Sequence, residues 1–196
     1  MDALLIVDFQ VDFCPGGALA VSGGDTIAGP LNALARDAGL VVATRDWHPA
    51  DHGSFAGAEV DPELWDGADP PGIWPVHCVQ DTPGAELHPA LDRGLVDVVV
   101  DKGLDPNSQG YSAFQHTGLA GALRARGVTH LHVGGLATDY CVLNSVLDAI
   151  AEGFAVTVVT DAVRGVEVTP GDSQRALDRM AAAGARLADS AAVLSG

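Results

Sequence analysis

The sequence predicts an α/β fold: three α/β/α layers on a central, mostly parallel sheet of about six strands. Three observations predict it. Short runs rich in Val, Ile and Leu recur along the 196 residues, as strands buried on both faces do. Amphipathic stretches of helical length separate them, and this alternation builds a parallel sheet covered by helices. Several of those stretches stop at glycine, the residue that most readily ends a helix.

The first strand is Ala3 to Val7, an uninterrupted apolar run closed by Asp8. An amphipathic stretch from about Asp25 to Ala38, ended by Gly39, leads into the second strand, Leu40 to Thr44. The third, Val96 to Val100, follows a long segment, Asp46 to Leu91, rich in Gly, Pro, His and aromatic residues. A second irregular segment, Gly103 to Gly118, precedes a helix from Leu119 to Arg126 with Gly127 behind it. His130 to Val133 is the fourth strand, Thr138 to Glu152 with Gly153 the next helix, and Ala155 to Val159 the fifth strand. Thr169 to Ala183 with Gly184, then the weak run Ala185 to Ala188, complete the pattern. No repeat or linker interrupts it, so residues 1–196 read as a single domain, long enough to close one core. Irregular segments of such length inside a compact domain usually carry function.

A net charge of -16 repels phosphate backbones and anionic lipid, which disfavours nucleic-acid or membrane partners and favours a small-molecule one. No apolar run approaches the roughly 20 residues of a membrane span, and the amino terminus lacks the basic and apolar regions of a secretory signal. Cys14, Cys78 and Cys141 are odd in number and widely spaced, which fits a reducing cytoplasm rather than a disulfide framework. Monomer and homo-oligomer stay open. Nine arginines stand against a single lysine, Lys102. Either composition alone explains this, or a compact ammonium is needed where a planar guanidinium does not fit.

Ligands of an open parallel sheet sit outside the carboxyl ends of its strands. Asp8 follows the first strand, Asp46 the second and Lys102 the third, and Cys141 falls in the first turn of the helix after the fourth. These four side chains are therefore expected to converge. A helix N-terminus lowers a thiol pKa, so Cys141 is expected to be a nucleophile, with Asp8 as its proton acceptor and Lys102 keeping that carboxylate ionised. The preceding Gly134-Gly135-Leu136-Ala137-Thr138-Asp139 is expected to turn tightly from strand to helix and aim backbone N–H groups at an oxyanion. Taken singly, a helical Cys is more often core and an Asp after a strand more often a cap. Asp46, His48, His52 and His77 offer oxygen and imidazole donors for one divalent metal ion, Zn²⁺ first, Fe²⁺ or Mn²⁺ otherwise. Asp51 reads as a turn residue and Asp161 as a loop-fixing carboxylate; His88, His116, His130 and His132 read as caps, surface or strand packing.

With these residues in view, the sequence resembles the nicotinamidases, also called pyrazinamidases, of the isochorismatase-like cysteine hydrolases. The resemblance rests on Val7-Asp8-Phe9-Gln10-Val11-Asp12-Phe13-Cys14, Thr44-Arg45-Asp46-Trp47-His48 with Asp51-His52, Trp74-Pro75-Val76-His77-Cys78, Asp101-Lys102-Gly103, and Gly135-Leu136-Ala137-Thr138-Asp139-Tyr140-Cys141-Val142. It implies a metal-dependent cysteine amidase that hydrolyses nicotinamide and pyrazinamide to the acids and ammonia through a thioester, in NAD salvage. It implies a triad of Asp8, Lys102 and Cys141, and a metal on Asp46, His48, His52 and His77. It also implies a cis peptide between Leu136 and Ala137, an oxyanion hole from the N–H groups of Ala137 and Cys141, and aromatic walls from Phe13, Trp74 and Tyr140. Two alternatives stand beside it: another amidase or hydrolase of the same superfamily, and a non-enzymatic metal-binding protein on the same scaffold.

Overall fold

The structure, a computed structural model, describes residues 1–195. Six strands form one sheet: β1 (Asp2–Val7), β2 (Val41–Asp46), β3 (Val98–Lys102), β4 (His130–Leu136), β5 (Ala155–Arg164) and β6 (Arg186–Ala188). Their order is β3-β2-β1-β4-β5-β6, and every pairing is parallel. Along β1, successive side chains point to opposite faces and both faces are covered. Ala3, Leu5 and Val7 pack with Leu119 and Leu123 of α2 (Leu119–Ala125), Val146 and Ala149 of α3 (Leu143–Ala151), and Ala176 and Met180 of α4 (Asp172–Ala182). Leu4 and Ile6 pack with Leu31 and Leu34 of α1 (Ala28–Asp37), with Val193 of α5 (Ser190–Leu194) against the same cluster. The expected three layers follow from this two-sided burial.

Boundaries differ from expectation in instructive places. β5 runs past Val159 to Arg164, because a register shift against β4 between Val133 and Gly135 leaves polar Thr160 and Asp161 in an irregularity and lets pairing resume at Val163. The helix expected from Thr138 opens as a π-helical turn, Thr138–Val142, and is α-helical only over Leu143–Ala151. The stretch expected from Asp25 begins with a 3₁₀ turn, Gly24–Ile27, and that expected from Thr169 starts at Asp172, after Pro170-Gly171. α5 has no counterpart in the sequence pattern; Asp161 accepts hydrogen bonds from the Ser190 backbone N–H and hydroxyl there, so it is the loop-fixing carboxylate its sequence position suggests. Residues 47–91 hold neither strand nor α-helix, and fold back on themselves through bridges between His48 and Val79 and between Phe55 and Trp74. Among the described residues, no helix is long and apolar enough to cross a membrane.

The chain steps from β1 outward to β2 and β3, then reverses to β4, β5 and β6, so a switch point lies between β1 and β4. The crevice outside the strand ends at such a point is where open sheets bind ligands. Here β1 meets β4 at a glycine. Gly135 pairs with Val7 at φ 130°, and a Cβ on it would strike the Val7 backbone N, C and O atoms. Only glycine fits this approach. The next peptide, Leu136-Ala137, is cis.

Candidate active site

Asp8, Lys102 and Cys141 meet at this switch point. Asp8 leaves β1 with φ 46° and is fully buried, and Thr44 of β2 donates its hydroxyl to Asp8 Oδ1 at 2.6 Å. Lys102, the last residue of β3, has its Nζ 2.8 Å from Asp8 Oδ2. The same Nζ donates to Asp46 Oδ1 at 2.6 Å, to the Gly110 carbonyl at 2.8 Å and to Cys141 Sγ at 3.5 Å. Cys141 Sγ and carboxylate oxygens of Asp8 and Asp46 all lie within 4.8 Å of one another. The expected convergence is therefore present, and Lys102 additionally joins it to the Asp46 side of the site.

Burial and charge set the protonation states. Burial would strip the proton from Lys102, but Asp46 and Asp8 outweigh it and hold the ammonium charged. Burial also raises Asp8, to about 6, against the pull of Lys102. Asp46 feels the same burial, yet Lys102 and His48 keep it well below the usual carboxylate range. Cys141 departs from the lowered thiol pKa that its helix position suggests. Burial raises its thiol well above the ordinary value, Lys102 opposes only in part, and Asp8 raises it further, so the helix terminus does not yield a resting thiolate. A protonated thiol beside a carboxylate poised near neutrality can hand over its proton when an electrophile arrives.

The second half of the site lies on the segment after β2. Ligand atoms of Asp46, His48 and His77 fall within 4.8 Å of one another, and His48 Nε2 is 3.5 Å from Asp46 Oδ2. His48 Nδ1–H donates to the Gly103 carbonyl at 2.9 Å and His77 Nδ1–H to the Pro75 carbonyl at 2.7 Å. Those bonds fix the tautomers and leave both Nε2 lone pairs free for a cation. His52 stands just outside this trio, its ring 3.9 Å from that of His48, and its buried Nε2 has no hydrogen-bond partner among the described residues. Burial first and His48 second lower His52 to about 3 and His77 to about 4, so both imidazoles are neutral donors. The residues present fit a divalent metal.

The aromatic residues form the rim. Trp74 stands edge-on to Tyr140, ring centroids 4.9 Å apart, and Phe13 packs against His77 at 5.5 Å. Three further residues lie outside the sequence expectations. Tyr111 accepts from Trp74 Nε1 at 2.9 Å and donates to Asp69 at 3.1 Å, tying the two irregular segments together. Thr44 orients Asp8, and Gln10 grips the Asp46 backbone through both its amide oxygen and its amide nitrogen. A hydroxyl inside an apolar strand and an amide next to a buried carboxylate are the signals that mark the latter pair. Cys141 keeps 6% of its surface exposed, so the thiol is shielded but not sealed.

The model of the isochorismatase domain matches residues 2–192. The chain belongs to the isochorismatase family. Within it, this isochorismatase-family chain is 48% identical to the nicotinamidase of Escherichia coli (strain K12), over 94% of the chain and 93% of that relative. The crystal structure of the pyrazinamidase of Pyrococcus horikoshii in complex with zinc superposes with a TM-score of 0.81 at 41% identity, covering 96% of this chain and 98% of that one. That of PnC1 from L. infantum in complex with nicotinate superposes with a TM-score of 0.87 at 35% identity, covering 98% and 94%. The all-parallel six-stranded sheet is thus that of isochorismatase-like hydrolases.

Proposed function

We propose that this chain is a nicotinamidase: a metal-dependent cysteine amidase that hydrolyses nicotinamide, and pyrazinamide, to the acid and ammonia, in cytoplasmic NAD salvage. The observation that carries the proposal is the contact of Cys141, Asp8 and Lys102 beside a preorganised carboxylate and imidazole ligand set. It treats residues 1–196 as one hydrolase domain, with its single sheet as support.

Asp46, His48 and His77 would hold the ion, with His52 supplying its unpartnered Nε2 as a fourth donor. Zinc is the preferred occupant, Fe²⁺ or Mn²⁺ the alternatives. When bound, the ion supplies a Lewis-acid contact for a ring nitrogen of the substrate. Phe13, Trp74 and Tyr140 wall the flat ring, which presents its carboxamide carbon to Cys141. Asp8 takes the thiol proton as sulfur attacks, and Lys102 steadies the charge that moves between them. The N–H groups of Ala137 and Cys141 receive the oxyanion. Asp8 returns the proton to the departing ammonia, then accepts one from the water that cleaves the thioester.

Ammonia release with nicotinamide tests the proposal directly. Acetamide, which has no ring for the walls or the metal to orient, should be a very poor substrate; equal kcat/KM for the two amides would move the chain to a general amidase. His52→Ala should lower bound metal and raise KM for nicotinamide without unfolding the protein. Emission spectroscopy showing full metal occupancy in that variant removes His52 from the ligand set. The rate also has a predictable acid limb. Asp8 must be ionised to accept the thiol proton, so kcat/KM should decline as pH falls through about 6. A rate unchanged down to a full unit below that value sinks the assignment of Asp8 as base.

A further inference from the structure

At the amino-terminal ends of the two central strands lies a second ligand set that the amidase reaction does not use. Asp2 and His130 are register partners at the starts of β1 and β4, and His132 is two residues on, so all three share one face. Asp2 Oδ2 is 3.2 Å from His130 Nδ1 and 3.6 Å from His132 Nε2, and ligand atoms of the three residues lie within 4.8 Å of one another. His130 opens β4 and Leu136 closes it, so His130 stands roughly 20 Å from the reactive end at about 3.3 Å per residue.

We propose that Asp2, His130 and His132 bind a second divalent transition-metal ion of the zinc class. One oxygen and two imidazole donors with water completing a tetrahedron suit such an ion. His130 Nε2 meets Thr157 Oγ1 at 2.9 Å, an outer hydrogen bond of the kind that orients a ligating imidazole. When a cation binds, His130 gives Nε2–H to the Thr157 hydroxyl and its Nδ1 lone pair to the ion beside the Asp2 carboxylate; without one, Nδ1–H donates to that carboxylate. A proton could bridge that pair alone; His132 Nε2, close to the same oxygen, turns the pair into a ligand set. A cavity of about 190 Å³ lined by Asp2, Asp37, His132 and Leu194 gives the ion a route in and room for water. His132 Nδ1 has no partner among the described residues, so this site is held less firmly than the one at Asp46. Sequence position alone suggests only packing or surface roles for His130 and His132.

The test counts ions and is independent of the amidase assignment. Protein stripped with chelator is titrated with Zn²⁺, with calorimetry for affinity and emission spectroscopy for bound metal after desalting. Wild type should take up two equivalents, the second more weakly. Asp2→Asn and His132→Ala should each lose the second equivalent and keep the first, with nicotinamide turnover unchanged. Thr157→Val should weaken the second site about tenfold. Because Asp2 is exposed, Asp2→Asn keeps the fold even if a histidine variant does not. A wild type that binds one ion, or second-ion binding that survives in Asp2→Asn, overturns the proposal.

Discussion

Replacing Asp8 with asparagine should lower kcat for nicotinamide by about 10³ to 10⁴-fold, the upper part of the range for general acid–base groups. The loss corresponds to roughly 4 to 5.5 kcal/mol of barrier. It should be this large because one carboxylate serves three proton transfers, and because the burial of Cys141 keeps its thiol protonated until Asp8 acts. Asparagine preserves the shape and can still accept from Thr44 through Oδ1, so the fold and the ligand set should survive. Nicotinamide binding, followed by calorimetry, should change little, which places the damage in the chemical step. The acid limb near pH 6 should vanish with it. An asparagine variant that retains more than about a tenth of wild-type kcat, against that expectation, would remove Asp8 from proton transfer.

Lys102→Arg should cost about 100-fold in kcat, or roughly 2.7 kcal/mol, although the charge is kept. Coulomb attraction depends weakly on the shape of the cation, so a purely electrostatic role predicts near-normal activity for arginine. The surroundings of Nζ predict otherwise. It sits fully buried among Asp8, Asp46, the Gly110 carbonyl and Cys141 Sγ, each within 3.5 Å. A planar guanidinium has no room there without moving the carboxylate or the thiol, and displacement of about 1 Å is enough for the loss. Comparing kcat at saturating nicotinamide, with circular dichroism and metal content as controls, decides the matter. More than a tenth of activity in the arginine variant would reduce Lys102 to a neighbouring charge and make its status as the only lysine a coincidence.

Much of the fold is legible because its strands are buried on both faces and read as plain apolar runs, as Ala3 to Val7 does. The convergence of Asp8, Asp46, Lys102 and Cys141 follows from parallel strands placing their carboxyl ends on one edge. Other features depend on contacts no local pattern encodes. The extension of β5 rests on a register shift set by its neighbour, and α5 is too short for helical periodicity, resting on Asp189 and Asp161 as caps. The π-helical turn at Cys141 interrupts a sequence that reads as one amphipathic helix. Tyr111 joins the rim through Trp74 and Asp69, some 40 positions away. The state of the Cys141 thiol is hidden from the sequence for the same reason: helix position is local, whereas burial is a property of the whole assembly.

Gly135 acts as a gauge block. Asp8 hangs from the end of β1 and Cys141 from the π-helical turn that follows β4, and these strands meet where Gly135 presses on Val7 with no side chain between them. The span between base and nucleophile is thereby cut to size by main chain alone, which does not flex as rotamers do. For protein engineering this divides the molecule in two. The aromatic rim and the long segment after β2 can be reshaped for new ring systems, whereas any widening of the seam at Gly135 detunes the proton transfer for every substrate alike.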